Sequence, residues 1–171
     1  MRTSLVAVLL LWLCLSIEFA RVSLIPPHCL VIPAACAVML WLQNGTGVLI
    51  GGLALLLDWV AHPSTLPLTP LLIPPAAVML MSTSRPVDRY RRRRLVQFPA
   101  AWRLPALTLF GLVLQLASEF VLPVWQEPQT AFTLLRHQIA DATMFAIPVS
   151  VVFALIQHAA NELGLRRVVI R

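Results

Sequence analysis

The chain alternates long apolar stretches with short joints of proline, glycine, asparagine or arginine. A helix that crosses a bilayer needs roughly 17–25 mostly apolar residues. Six stretches approach that length: 4–20, 24–42, 45–61, 66–82, 104–122 and 142–160. The pattern predicts an all-α, polytopic integral membrane protein, a single domain over residues 1–171 folded as a compact bundle of six transmembrane helices. The joints carry the expected punctuation. Pro26-Pro27 suits a first helical turn, Asn44-Gly45 a tight turn, and Pro63-Ser64-Thr65 a break between the third and fourth helices. Pro123 and Pro128 close the fifth. Pro33, Pro70, Pro74, Pro75 and Pro148 fall inside the stretches and should kink them. Between residues 126 and 140, Phe132, Leu135 and Ile139 recur at spacings of three and four. That fits either a short amphipathic surface helix or an N-terminal extension of the sixth helix.

Composition strengthens this picture. Hydrophobic residues make up 59% of the chain and charged ones 12%, against about a quarter charged in a soluble domain. The mean hydropathy is +0.84. The first stretch is read as an uncleaved helix, because cleavage after Ala20 would put Glu18 where a small residue is wanted. Cys14, Cys29 and Cys36 lie in apolar runs without zinc or redox spacing and read as small buried hydrophobes.

The charge pattern orients the bundle. All 13 basic residues are arginine and the formal net charge is +6. Arg85, Arg89, Arg91, Arg92, Arg93, Arg94 and Arg103 fall in one loop, 83–103, and Arg166, Arg167 and Arg171 in the tail. Arginine-rich segments stay in the cytoplasm. With six spans, both termini are then cytoplasmic, and eleven arginines lie inside against two, Arg21 and Arg136, outside. The basic loop reads as a topology anchor held against anionic lipid rather than a nucleic-acid patch. Trp41, Trp59, Trp102 and Trp125 fall near helix ends, where tryptophan favours the headgroup layer. The Asn44-Gly45-Thr46 sequon lies on the cytoplasmic side, where it would not be used.

Candidate chemistry is sparse. Intramembrane carboxylates are costly and attract functional readings. Glu18, Asp58 and Glu119 lie in the first, third and fifth helices and share one depth near the outer end, close to Arg21, His62, Arg136 and His137. They read either as a polar cluster that binds a partner or an ion, or as three carboxylates reaching separately to the interface. Gly47 and Gly51 form GxxxG and, with Gly52, let helix backbones approach, within the protein or across a dimer. His28, His62, His137 and His158 are isolated in sequence, and the acids and histidines are read as not pairing at metal-ligand spacing within any helix. No HExxH, GxSxG or glycine-rich phosphate loop is present. No enzyme activity, cofactor, metal, nucleic acid or small-molecule substrate is therefore expected.

One stretch resembles a known family. A proline-started helix ending in Trp41 is followed by a glycine turn, then Gly47-x-x-x-Gly51-Gly52-Leu53 leading to Leu56-Leu57-Asp58, then a further apolar helix to Met81. This is similar to MreD, the small rod shape-determining membrane protein of bacteria. The sequence departs after Asp58, where His62-Pro63-Ser64-Thr65 stands in place of a glycine-rich turn. Only Gly47, Gly51 and Asp58 carry over. The resemblance implies a non-enzymatic scaffold of the bacterial inner membrane. It would bind an MreC-like protein and link actin-like filaments to peptidoglycan synthesis. The alternative is a small solute transporter, or the substrate-binding membrane subunit of one, with Glu18, Asp58 and Glu119 lining a cavity.

Overall fold

The computed structural model describes residues 2–20, 28–42, 44–62, 66–91, 102–126 and 128–162. Side chains are described over these residues except 2–4, 83–91, 121–131, 134, 141–143 and 160–162. The described residues form six helices: α1 Arg2–Phe19, α2 Val31–Leu42, α3 Gly45–Ala61, α4 Leu68–Arg91, α5 Arg103–Gln126 and α6 Pro128–Glu162. The protein is all-helical over these residues.

The shortest helix is the centre of the fold. α2 packs against all five others, and every residue from Val31 to Leu40 is buried. A helix apolar on all sides suits a core or a membrane span, and this one is enclosed by its neighbours. Ala34, Ala35, Cys36 and Ala37 keep it thin enough for neighbours to approach from several directions. The rest are arranged around it, with α1 against α3, α3 against α4, α4 against α5 and α5 against α6. Between α1 and α6 a small apolar pocket of about 10 Å³ is lined by Ala7, Leu11, Ala34, Val38, Trp41 and Phe153, among others.

The glycines of α3 fix its distance from α2. A Cβ on Gly47 would stand 2.6 Å from Leu42 Cβ, and one on Gly51 would stand 2.6 Å from Met39 Cγ and 2.9 Å from the Ala35 carbonyl. The GxxxG face is thus used inside this chain. Gly52 points elsewhere, towards Pro74 of α4. Gly111, unmarked by any spacing motif, allows α5 to meet Ile32 and Ile73. Asn44 acts as the N-cap of α3, its Oδ1 accepting from the Gly47 N–H at 3.0 Å and the Thr46 hydroxyl at 2.8 Å. The expected Asn44 turn is therefore a helix start.

Several expected boundaries move. α2 begins at Val31, seven residues after the expected start at 24; residues 21–27, with Pro26-Pro27 and Arg21, lie outside the described residues. Pro33 and Pro70 consequently fall in the first turns of α2 and α4, where the missing N–H has no intrahelical partner to lose. α4 runs through Pro74-Pro75 and on to Arg91, so Arg85, Arg89 and Arg91 continue a helix instead of opening a loop. Nothing in their polarity forbids this: arginine is a good helix former and hydropathy alone set the expected end. Arg92, Arg93, Arg94 and the C-terminal arginines lie outside the described residues. α6 starts at Pro128 and continues past Pro148, so residues 128–140 extend the sixth helix.

The interior is mostly apolar with a minority of polar groups, and the outer faces are apolar as well. The helices around α2 turn large apolar side chains outward: Leu9 and Trp12 on α1, Leu53 and Leu57 on α3, Met79 on α4, Val113 on α5, Val152 and Leu155 on α6. Buried positions include Glu18, His28, Asp58, Thr69, Gln115 and Ser150. Among the described residues, one helical segment, Leu135–Ala159, is long and apolar enough to cross a membrane; Leu5–Phe19, Val31–Leu42, Gly45–Ala61 and Leu68–Ser82 are apolar and shorter.

Candidate functional site

The polar groups of the interior collect at the N-terminal end of α2. The first N–H groups of a helix have no intrahelical acceptor, and Leu30, which precedes α2, has no side chain that could cap it. Glu18, near the end of α1, fills the role. Its Oε2 accepts from the Val31 N–H at 2.9 Å and its Oε1 accepts from the His28 N–H. A carboxylate at a helix N-terminus also meets the positive end of the helix dipole. His28 sits in the left-handed region, φ 68°, which histidine tolerates better than most residues. The tight turn that results points its ring into the bundle.

That ring is the hub. His28 Nδ1–H donates to Asp58 Oδ2 at 2.7 Å, a carboxylate being able only to accept. Its Nε2 faces Glu119 Oε1 of α5 at 3.6 Å. Asp58, in the last turn of α3, lies also 3.5 Å from Nδ1 of His62 through its other oxygen. His62 caps α3, its N–H bonded to the Asp58 carbonyl. The two imidazoles meet edge to face, with centroids 5.3 Å apart and planes at 80°. Glu119 Oε1 accepts from the Gln115 side-chain amide at 2.7 Å, and Gln115 Oε1 accepts from the Thr69 hydroxyl of α4 at 3.5 Å. The cluster so joins α1, the turn before α2, α3, α4 and α5.

The three carboxylates singled out from the sequence therefore do converge, on one histidine. Arg136 and His137 lie exposed on α6, and Arg21 is outside the described residues. Two members of the cluster, His28 and His62, are isolated in sequence but come together in the fold. Asp58 and His62 stand four apart and meet on one face of the end of α3, and His28, Asp58 and His62 each present a donor atom within 4.8 Å of the others. Helical spacing also links Gln115 to Glu119. Those two i,i+4 pairs were the available signal; nothing in the sequence marks His28 as their partner, since it lies 30 residues from Asp58. Cys14, Cys29 and Cys36 are buried, as expected of small apolar fillers.

No family model, curated protein or solved structure matches this chain.

Proposed function

We propose that the chain is a multi-pass protein of the bacterial inner membrane. It has six spans and both termini in the cytoplasm, and it acts as a non-enzymatic scaffold of the MreD kind. It would bind an MreC-like protein and hold cytoskeletal and peptidoglycan-synthesis components together. The observation that carries this over a solute-binding role is how the three acids are used. Glu18, Asp58 and Glu119 close on two backbone N–H groups, His28 and Gln115, which is the packed interior a scaffold requires. A solute site instead needs convergent polar groups left facing a cavity. Outward apolar faces on α1 and α3 to α6 suit a lipid solvent, and helices shorter than a full span suit local thinning or tilt of neighbours.

The convergence of three acids also favours a rival, a small solute transporter or its substrate-binding membrane subunit, with the cluster opening to admit a solute. Two measurements separate the readings. Reporter fusions after Tyr90 and at the tail are expected to report the cytoplasm; an extracytoplasmic signal from either overturns the topology. Gentle solubilisation and affinity capture are expected to recover a periplasmic coiled-coil partner. Recovery of a transporter ATPase in its place overturns the scaffold reading.

A further inference from the structure

The cluster at the head of α2 has the makings of a metal centre. Two imidazole nitrogens and a carboxylate, from the turn before α2 and the end of α3, approach one another: His28 Nδ1 and His62 Nδ1 lie 2.7 and 3.5 Å from different oxygens of Asp58. In a tetrahedral zinc site, bond lengths near 2.0–2.2 Å place neighbouring ligand atoms about 3.3–3.5 Å apart. One donor atom from each of His28, Asp58 and His62 lies within 4.8 Å of the others, so small side-chain rotations would bring all three to one metal ion. Nδ1 of His62 is buried without a hydrogen bond, an unusual condition for a nitrogen so placed and one that a cation would relieve.

The surrounding groups match the demands of such a site. A metal on His28 Nδ1 obliges the ring proton to sit on Nε2, where Glu119 Oε1 waits 3.6 Å away. A ligating histidine whose second nitrogen faces a carboxylate is the usual supporting arrangement for zinc. Glu119 is fixed in turn by Gln115, and Glu18 holds the backbone on either side of the His28 turn. The side chains of His28 and Asp58 are 7% and 5% exposed, whereas those of His62 and Glu119 are each 26% exposed. The buried side supplies rigidity and the His62–Glu119 side an entry path.

We propose that His28, Asp58 and His62 form a three-ligand site for a divalent transition cation of the zinc class, with Glu119 orienting His28 and the fourth position open to water. Two nitrogen donors disfavour calcium and magnesium, which take oxygen ligands. The site goes beyond the scaffold reading and stands whether or not that reading holds.

Zn²⁺ and Co²⁺ are the probes, added to the full chain purified in mild detergent. Elemental analysis after dialysis is expected to find about one Zn²⁺ per chain, and Co²⁺ to give the intense visible bands of a four-coordinate site without a thiolate charge-transfer band. His62→Gln alters a partly exposed ligand, and His28→Asn keeps a residue that accepts positive φ. Each is expected to weaken Zn²⁺ binding by more than about a hundred-fold, beyond the range for supporting residues, while Cys14→Ala binds as the parent does. Less than about a tenth of an equivalent bound by the parent chain overturns the proposal, as does binding unchanged in both histidine variants. If either variant fails to fold, the Co²⁺ spectrum of the parent decides alone: six-coordinate or thiolate bands overturn it.

Discussion

The two ends of α2 are held by opposite chemistry. At its N-terminal end, a carboxylate from another helix satisfies the free N–H groups, and a histidine in a strained turn gathers two more acids. Towards its C-terminal end, the contact is apolar and close, with Gly47 and Gly51 seating α3 directly on Val38, Met39 and Leu42. The second arrangement needs only small residues at the right period. The first places charged groups where desolvation is costly, and it keeps its cost low only while each partner is present. Packing alone would favour the glycine solution at both ends. The polar end is therefore the place to look for chemistry.

Removing the carboxylate is the most damaging way to test that contrast. Glu18→Ala leaves the N–H groups of His28 and Val31 buried without an acceptor, at roughly 1–3 kcal/mol each. A loss of about 3 kcal/mol is expected in chemical denaturation of the purified chain. Glu18→Gln keeps one acceptor oxygen and should lose about half as much. Equal stability of Glu18→Ala and the parent would show that the polar end is not held as described.

The apolar end fails by overlap instead. Gly51→Ala adds a methyl 2.9 Å from the Ala35 carbonyl and 2.6 Å from Met39 Cγ. The methionine can move aside, but the carbonyl belongs to the central helix and cannot. A cost of about 2 kcal/mol is expected, in the range for overpacking a core. A neutral result would mean that α3 slides off α2 freely.

The same contrast explains what was legible in the sequence. Apolar ends announce themselves: the GxxxG spacing, the aliphatic runs and the tryptophans near helix ends all follow from one-dimensional periodicity. α3 accordingly starts and stops where hydropathy places it, at Gly45 and Ala61. Polar ends do not. Hydropathy locates Glu18, Asp58 and Glu119 as misfits, yet their common partner His28 lies ten residues from one and thirty from another, and only the folded chain brings them together. The centrality of α2 was equally hidden. Its pattern is a plain apolar run, and an enclosed helix and a lipid-facing one read alike by composition. The end of α4 was misjudged for the converse reason: arginine is poor in hydropathy and good in helix propensity.

A smaller effect is expected at the α2–α3 joint, just past the apolar end of α2. Asn44→Ala removes the acceptor for the Gly47 N–H and the Thr46 hydroxyl. Loss of an asparagine cap costs about 1 kcal/mol. Asn44→Ser should recover most of it, since serine caps nearly as well, and a thermal melt of the three chains side by side checks the order.

The smallest effect carries the opposite sign. Gly52 neighbours Gly51 in sequence but faces Pro74 of α4, whose Cγ would stand 3.4 Å from an added Cβ, at the edge of ordinary contact. Nothing needs to move. Alanine restricts the unfolded chain and suits a helix better than glycine by up to about 1 kcal/mol. Gly52→Ala is expected to raise stability by about 0.5 kcal/mol, where Gly51→Ala lowers it. Two adjacent glycines giving opposite signs would tie the cost to the α2-facing surface rather than to glycine content. If both substitutions destabilise alike, the seat of α3 on α2 is not specific to the Gly47–Gly51 face, and the contrast between the two ends of α2 loses its apolar half.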